Sequence, residues 1–124
     1  MAGHDSQLLK GVLSLLVLRL LQYQEDYGYS IVLRLQHHGF HDLAEGTVYP
    51  ALTRLEKRGL LNSKMVKSAN GPARKYYRLT QTGESELAAT TQSWNELTLN
   101  VEAVLHGVEL NEPSPTPTDS EVLT

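Results

Sequence analysis

Apolar residues at Leu8, Leu9, Val12, Leu13, Leu16, Val17, Leu20 and Leu21 recur with the three-and-four spacing of a helix. Asp5 or Ser6 stands where a cap is needed, so a first helix is expected to run to about Gln22. It is apolar on more than one face, which predicts burial both in its own domain and against something else, such as a second copy of the chain. A shorter helix follows in "YGYSIVLRLQHHG", residues 27–39, with Ile31, Val32 and Leu35 inward and Gly39 as its stop. Leu43 and Ala44 belong to a connecting turn. The third helix lies in "AEGTVYPALTRLEKRGLL", residues 44–61. With Thr47 as its N-cap, Pro50 falls in the first turn, where a missing N–H donor costs little. Leu52 and Leu55 form its buried stripe, Lys57 and Arg58 suit its negative C-terminal end, and Gly59 supplies a left-handed cap. Three short helices in succession are the helix-turn-helix pattern.

The period then changes. In "LLNSKMVKS" and "RKYYRLT" apolar and polar residues roughly alternate, and "ANGPA" between them carries turn chemistry, which predicts a hairpin. Lys75, Tyr77 and Leu79 fall on one face of it, Arg74, Tyr76 and Arg78 on the other, as a DNA-binding wing would need. Thr80 is placed to cap a last helix over about residues 81–106. Its apolar positions Leu87, Trp94, Val101 and Val108 fall seven apart, with Leu97 and Val104 between them, a seam that calls for a partner helix. Glu84, Glu86, Glu96 and Glu102 are assigned to its wet side. The pattern ends in "NEPSPTPTDSEVLT", too polar and proline-rich to pack. The expected organisation is a mainly α chain with a small β hairpin: a winged helix-turn-helix over residues 5–80, a C-terminal dimerisation helix over 81–108, and a disordered tail over 109–124.

Composition narrows the reading further. At 124 residues and 40% hydrophobic, one modest domain is expected, with a core that a monomer fills only marginally. There is no Cys, and the N-terminus lacks a basic flank and small-residue cleavage site, so a reduced, cytoplasmic setting is expected. The longest apolar run, residues 12–21, is interrupted by Ser14 and Arg19 and is shorter than a bilayer span. The formal net charge of -3 looks unsuited to nucleic acid, but its distribution reverses that impression. Residues 51–82 hold eight Lys or Arg against the single acid Glu56, a segment charge of +7, while residues 83–124 hold eight acids and no cation. One positive face can thus meet a polyanion on a chain that is acidic in total.

Four stretches, in order, carry a resemblance. "LKGVLSLLVLRLL" in the first helix, "YGYSI" opening the second, "EGTVYPALTRLEKRGLL" in the third and "GPARKYYRLTQTG" across the wing resemble the PadR family of bacterial transcriptional regulators. The resemblance covers roughly residues 8–104, and each stretch is weak alone but specific in combination. It implies a winged helix-turn-helix homodimer, joined mainly by the C-terminal helix, that represses promoters and often releases DNA when a small aromatic molecule or another signal arrives. The short form of the family, with one C-terminal helix, suits this length.

On that reading the third helix enters the major groove of double-stranded DNA by its N-terminal end, where free N–H groups and the helix dipole favour phosphate. Gly46, Thr47, Tyr49 and Pro50 sit there, with Arg54 one turn further on. Tyr29, opening the second helix, is a candidate for a backbone contact. Asn70, Gly71, Arg74 and Lys75 are candidates for phosphate or minor-groove contacts from the wing, since adjacent cations at a hairpin tip otherwise repel without compensation. Trp94, the only tryptophan, lies on the seam. It either fills a dimer core or walls a slot for an aromatic effector, as a tryptophan does in some drug-binding members of the family. His37, His38 and His41 have poor spacing for a metal, and no cofactor or metal is expected. No nucleophile elbow, phosphate loop or metalloprotease word frames a catalytic site, so an enzyme is not expected. A dimeric interaction module that keeps the winged fold without binding specific DNA is the alternative.

Overall fold

The computed structural model describes residues 6–107. In chain order they form α1 (Ser6–Tyr23), β1 (Asp26–Tyr27), α2 (Gly28–His37), α3 (Glu45–Lys57), β2 (Leu61–Ser68), β3 (Gly71–Leu79) and α4 (Gln81–His106). The strands make one antiparallel sheet in the order β1-β3-β2. This is the mainly α winged helix-turn-helix that the sequence predicts, with one addition. The hairpin of β2 and β3 gains β1, whose Asp26 and Tyr27 lie opposite Tyr77 and Tyr76. Two residues are too few to show any periodicity, so β1 has no signature in the sequence.

The core lies where α1, α2 and α3 meet the base of the hairpin. Leu13, Val17 and Leu18 from α1, Ile31 and Leu35 from α2, Val48, Leu52 and Leu55 from α3, Leu61 and Tyr77 from the sheet and Leu87 from α4 are all buried. Each such side chain contributes about 1.5–3 kcal/mol by leaving water. The Tyr77 face of the hairpin turns inward, while Arg74 and Arg78 on the other face are exposed, as the alternation predicts. Ala69 and Asn70 make the tight turn, since Ser68 already pairs with Gly71. Gly71 and Pro72, expected in the turn, instead open β3.

Helix ends follow local chemistry. α2 and α3 both close with the same pair of bonds. Gly39 N–H donates to Gln36 and Phe40 N–H to Leu35 in one, Gly59 N–H to Glu56 and Leu60 N–H to Leu55 in the other, all at 2.9–3.0 Å. That motif requires a left-handed residue, and Gly39 and Gly59 have φ of 103° and 80°. Thr80 caps α4 as predicted: its Oγ1 accepts from Gly83 N–H at 2.9 Å while its own hydroxyl donates to the Gly59 carbonyl at 2.7 Å. Gly83 itself lies so close to the α3–β2 junction that a Cβ there would fall 2.2 Å from the Leu60 carbonyl oxygen.

The described residues divide into two compact units after Thr91. The first holds the sheet, α1 to α3 and the start of α4; the second holds the rest of α4. The heptad seam splits accordingly. Leu87 is spent in the core of the first unit, whereas in the second Trp94, Leu97, Val101 and Val104 stay 40%, 56%, 43% and 84% exposed. Val108, the tail and the proposed Asp5 cap lie outside the described residues.

Candidate nucleic-acid interface

Helix α3 begins earlier than the capping pattern predicts. Its N-cap is Ala44, and the backbone N–H groups of Thr47 and Val48 both donate to the Ala44 carbonyl at 3.0 Å. Ala44 has no side chain to cap with. The start is set by packing instead: Leu43 before the cap and Val48 at the fourth helical position are both buried, the two places of a hydrophobic staple. The Gln36 amide also holds the Leu43 carbonyl at 2.7 Å. Thr47 is therefore not the cap but the third helical residue. Pro50 is not in the first turn either; it stands at the sixth position, inside the helix, where it withdraws the N–H that would bond the Gly46 carbonyl. Gly46, Thr47, Tyr49 and Pro50 are all exposed, as is Arg54 further along.

Four of the predicted residues converge. Tyr29, Tyr49, Arg74 and Lys75 line an open cleft of about 370 Å³, floored by Tyr27 and Tyr77. The ring of Tyr49 lies against the first residue of α2, where a Cβ on Gly28 would come within 2.8 Å of Tyr49 Cε1. Glycine at that position is what lets α3 and α2 approach. Partial burial, then the nearby Glu45 carboxylate, raise the Tyr49 pKa above its ordinary value. Asn70 and Gly71 are exposed at the hairpin turn, apart from this cleft.

The wing cations are not left to repel one another. They sit on opposite faces of β3, opposite Val66 and Met65 rather than at the turn. The Arg74 guanidinium stacks over the Tyr27 ring at 4.4 Å, and Tyr27 packs on Tyr76 with ring centroids 5.3 Å apart. The Lys75 ammonium lies 3.3 Å from Glu56 Oε1, while the Ser63 hydroxyl donates to Glu56 Oε2. The Ser63 hydrogen bond, then Lys75, hold the Glu56 carboxyl below its ordinary value; that same carboxylate raises Lys75. The lone acid of the basic segment thus ties the end of α3 to both strands of the wing.

Comparison with known proteins returns the same fold. The model of the transcriptional regulator PadR-like family matches residues 17–89, from α1 into α4. The chain belongs to the PadR-like family. A PadR-like transcriptional regulator from Bacillus cereus is 38% identical with a TM-score of 0.75, the match covering 82% of this chain and 99% of that one. A PadR family regulator from Eggerthella lenta is 35% identical with a TM-score of 0.74, over 82% of this chain and 88% of that one. By sequence, a transcriptional regulator of Mycobacterium tuberculosis is 36% identical over 77 residues, 62% of this chain and 70% of its own length.

PadR-like membership makes the chain a transcriptional regulator with a DNA-binding winged helix and points to a role other than catalysis. No helix of the described residues is long and apolar enough to cross a membrane, and no three His, Asp or Glu among them converge as metal ligands. This PadR-like chain also carries a support that sequence reasoning missed. Asp26, buried at 5% exposure, accepts from Tyr27 N–H at 2.9 Å and from the Ser30 hydroxyl at 2.7 Å, and pairs with Arg34 at 3.0 Å. Arg34 in turn donates to the Leu20 carbonyl at 3.0 Å. The end of α1, β1 and α2, the segment that carries Tyr27 and Tyr29, are thereby tied together. An acid eight residues before an arginine is the only trace of this in the sequence, and it is not distinctive.

Proposed function

We propose that the protein is a homodimeric repressor that binds a palindromic operator in double-stranded DNA and is released by a small aromatic ligand. The observation that supports this most is the exposed start of α3 standing beside a cleft that gathers Tyr29, Tyr49, Arg74 and Lys75. Gly46, Thr47, Tyr49 and Pro50 meet the major groove. The start of α3 has no side-chain cap, and its helix dipole favours a phosphate there. Tyr29 and Arg54 add contacts on either side, and Asn70, Gly71, Arg74 and Lys75 hold the flanking backbone. Two copies join through the exposed α4 residues Leu97, Val101 and Val104, with Trp94 beside the two-fold axis where an aromatic effector would stack. The setting is cytoplasmic.

A mobility-shift titration on fragments from around its own gene tests this reading. Wild type should bind one fragment tightly, with affinity falling steeply as salt rises. Thr47→Ala should alter preference among related duplexes, whereas Arg74→Ala should weaken all of them by a similar factor of about 5–10, as loss of a phosphate contact does. Uniform weakening by Thr47→Ala would make Thr47 a backbone contact and not a base contact, and unchanged binding by Arg74→Ala would remove the wing from the interface.

A further inference from the structure

Glu56 occupies a place that the function described so far does not use. It is the one acid among eight cations in residues 51–82, where a carboxylate works against attraction of DNA. Its side chain is nonetheless held by two directed contacts, one oxygen taking the Ser63 hydroxyl from β2 and the other the Lys75 ammonium from β3. A hydroxyl and an ammonium converging on one anionic group are a donor set suited to a phosphate oxygen. Lys75 remains 48% exposed at its side chain, so the ammonium can turn outward without unpacking the core.

We propose that Glu56 is an internal stand-in for DNA phosphate: it positions the wing against α3 in the free protein and must surrender Lys75 when the backbone of a duplex arrives. The inference rests on the DNA-binding reading above and adds a residue that sets its affinity. Each duplex must displace a carboxylate already in place, so the Lys75 contact yields less than a free cation would. Glu56 holds down affinity for any duplex, specific or not, because every duplex presents the same phosphate backbone to Lys75. Arg74, stacked on an uncharged ring, is under no such restraint.

A double-mutant cycle by fluorescence anisotropy tests this, using the full chain with one operator fragment and one random duplex. Glu56→Gln keeps an oxygen for Ser63 and removes the charge. It should tighten binding to both duplexes by about fivefold, the factor that one exposed ion pair commands. Lys75→Ala should weaken wild type only about twofold but weaken Glu56→Gln about tenfold, because only there is the ammonium unopposed. Ser63→Ala, which keeps the charge but loses its orientation, should shift binding the same way as Glu56→Gln and by less. Equal Lys75→Ala factors in both backgrounds, or weaker binding by Glu56→Gln, would overturn the proposal while leaving DNA binding standing. Wild type that binds neither duplex would overturn the DNA-binding reading and this inference with it.

Discussion

Single residues account for most of what the sequence misjudged. Thr47 was a sound capping candidate by type, but burial of Leu43 and Val48 fixed the helix start three residues earlier, and a packing constraint outweighs one hydrogen bond to a cap. Arg74 and Lys75 lie on the hairpin, as the alternation predicts, but away from its turn. Their partners, Tyr27 and Glu56, lie 47 and 19 positions away, and no local pattern links them. The Glu56–Lys75 pair has a pH signature whose sign follows from the two shifts. Glu56 is lowered, so its contribution to stability is present above the ordinary carboxylate value of 4.5 and is lost as pH falls through its folded value below that. Lys75 is raised, so its contribution is present below 10.5 and is lost as pH climbs through its folded value above that. The stability difference between wild type and Glu56→Gln, followed by thermal melts, should therefore be flat through neutral pH and shrink at both extremes. A difference that grows below pH 4.5 would contradict the assignment.

Helices and strands were legible wherever amphipathic period and punctuation agreed. Gly39 and Gly59 ended α2 and α3 where expected, because the left-handed residue of that closing motif is nearly always glycine. Thr80 capped α4 with nothing competing for it. β1 was not legible, since its two residues become a strand only by pairing to β3, some fifty positions away, and two residues show no period. Gly83 shows the same limit: inside α4 its type suggests weakness, yet it lets the helix start approach the Leu60 carbonyl. Gly83→Ala should destabilise the fold by about 1–3 kcal/mol despite alanine's better helix propensity, because the added methyl overlaps backbone that cannot yield. Urea denaturation would show this as a lower midpoint with an unchanged slope. An equal or higher midpoint would mean that α4 does not seat on that junction.

For the chain as a whole, sequence and family agree on a winged-helix transcriptional regulator, and α4 is where one chain leaves apolar surface uncovered. The heptad seam was readable, but its division was not: Leu87 serves the chain's own core, while Trp94, Leu97, Val101 and Val104 remain uncovered. An apolar stripe of this kind is what a second copy would bury. Leu97→Asp should accordingly convert a dimer into a monomer in sedimentation velocity and cost operator affinity more than 100-fold, since one half-site alone gives only part of the binding free energy. Dimeric Leu97→Asp would place the contact elsewhere. Because the proposed function joins the charge run, the exposed α3 start and the uncovered seam in one act, the decisive measurement is a hydroxyl-radical footprint of the wild-type protein on its own upstream DNA. The account predicts two protected backbone segments related by a dyad and about one helical turn, or 10 bp, apart centre to centre, fading together as salt rises. A single protected segment, or protection indifferent to salt, would contradict it.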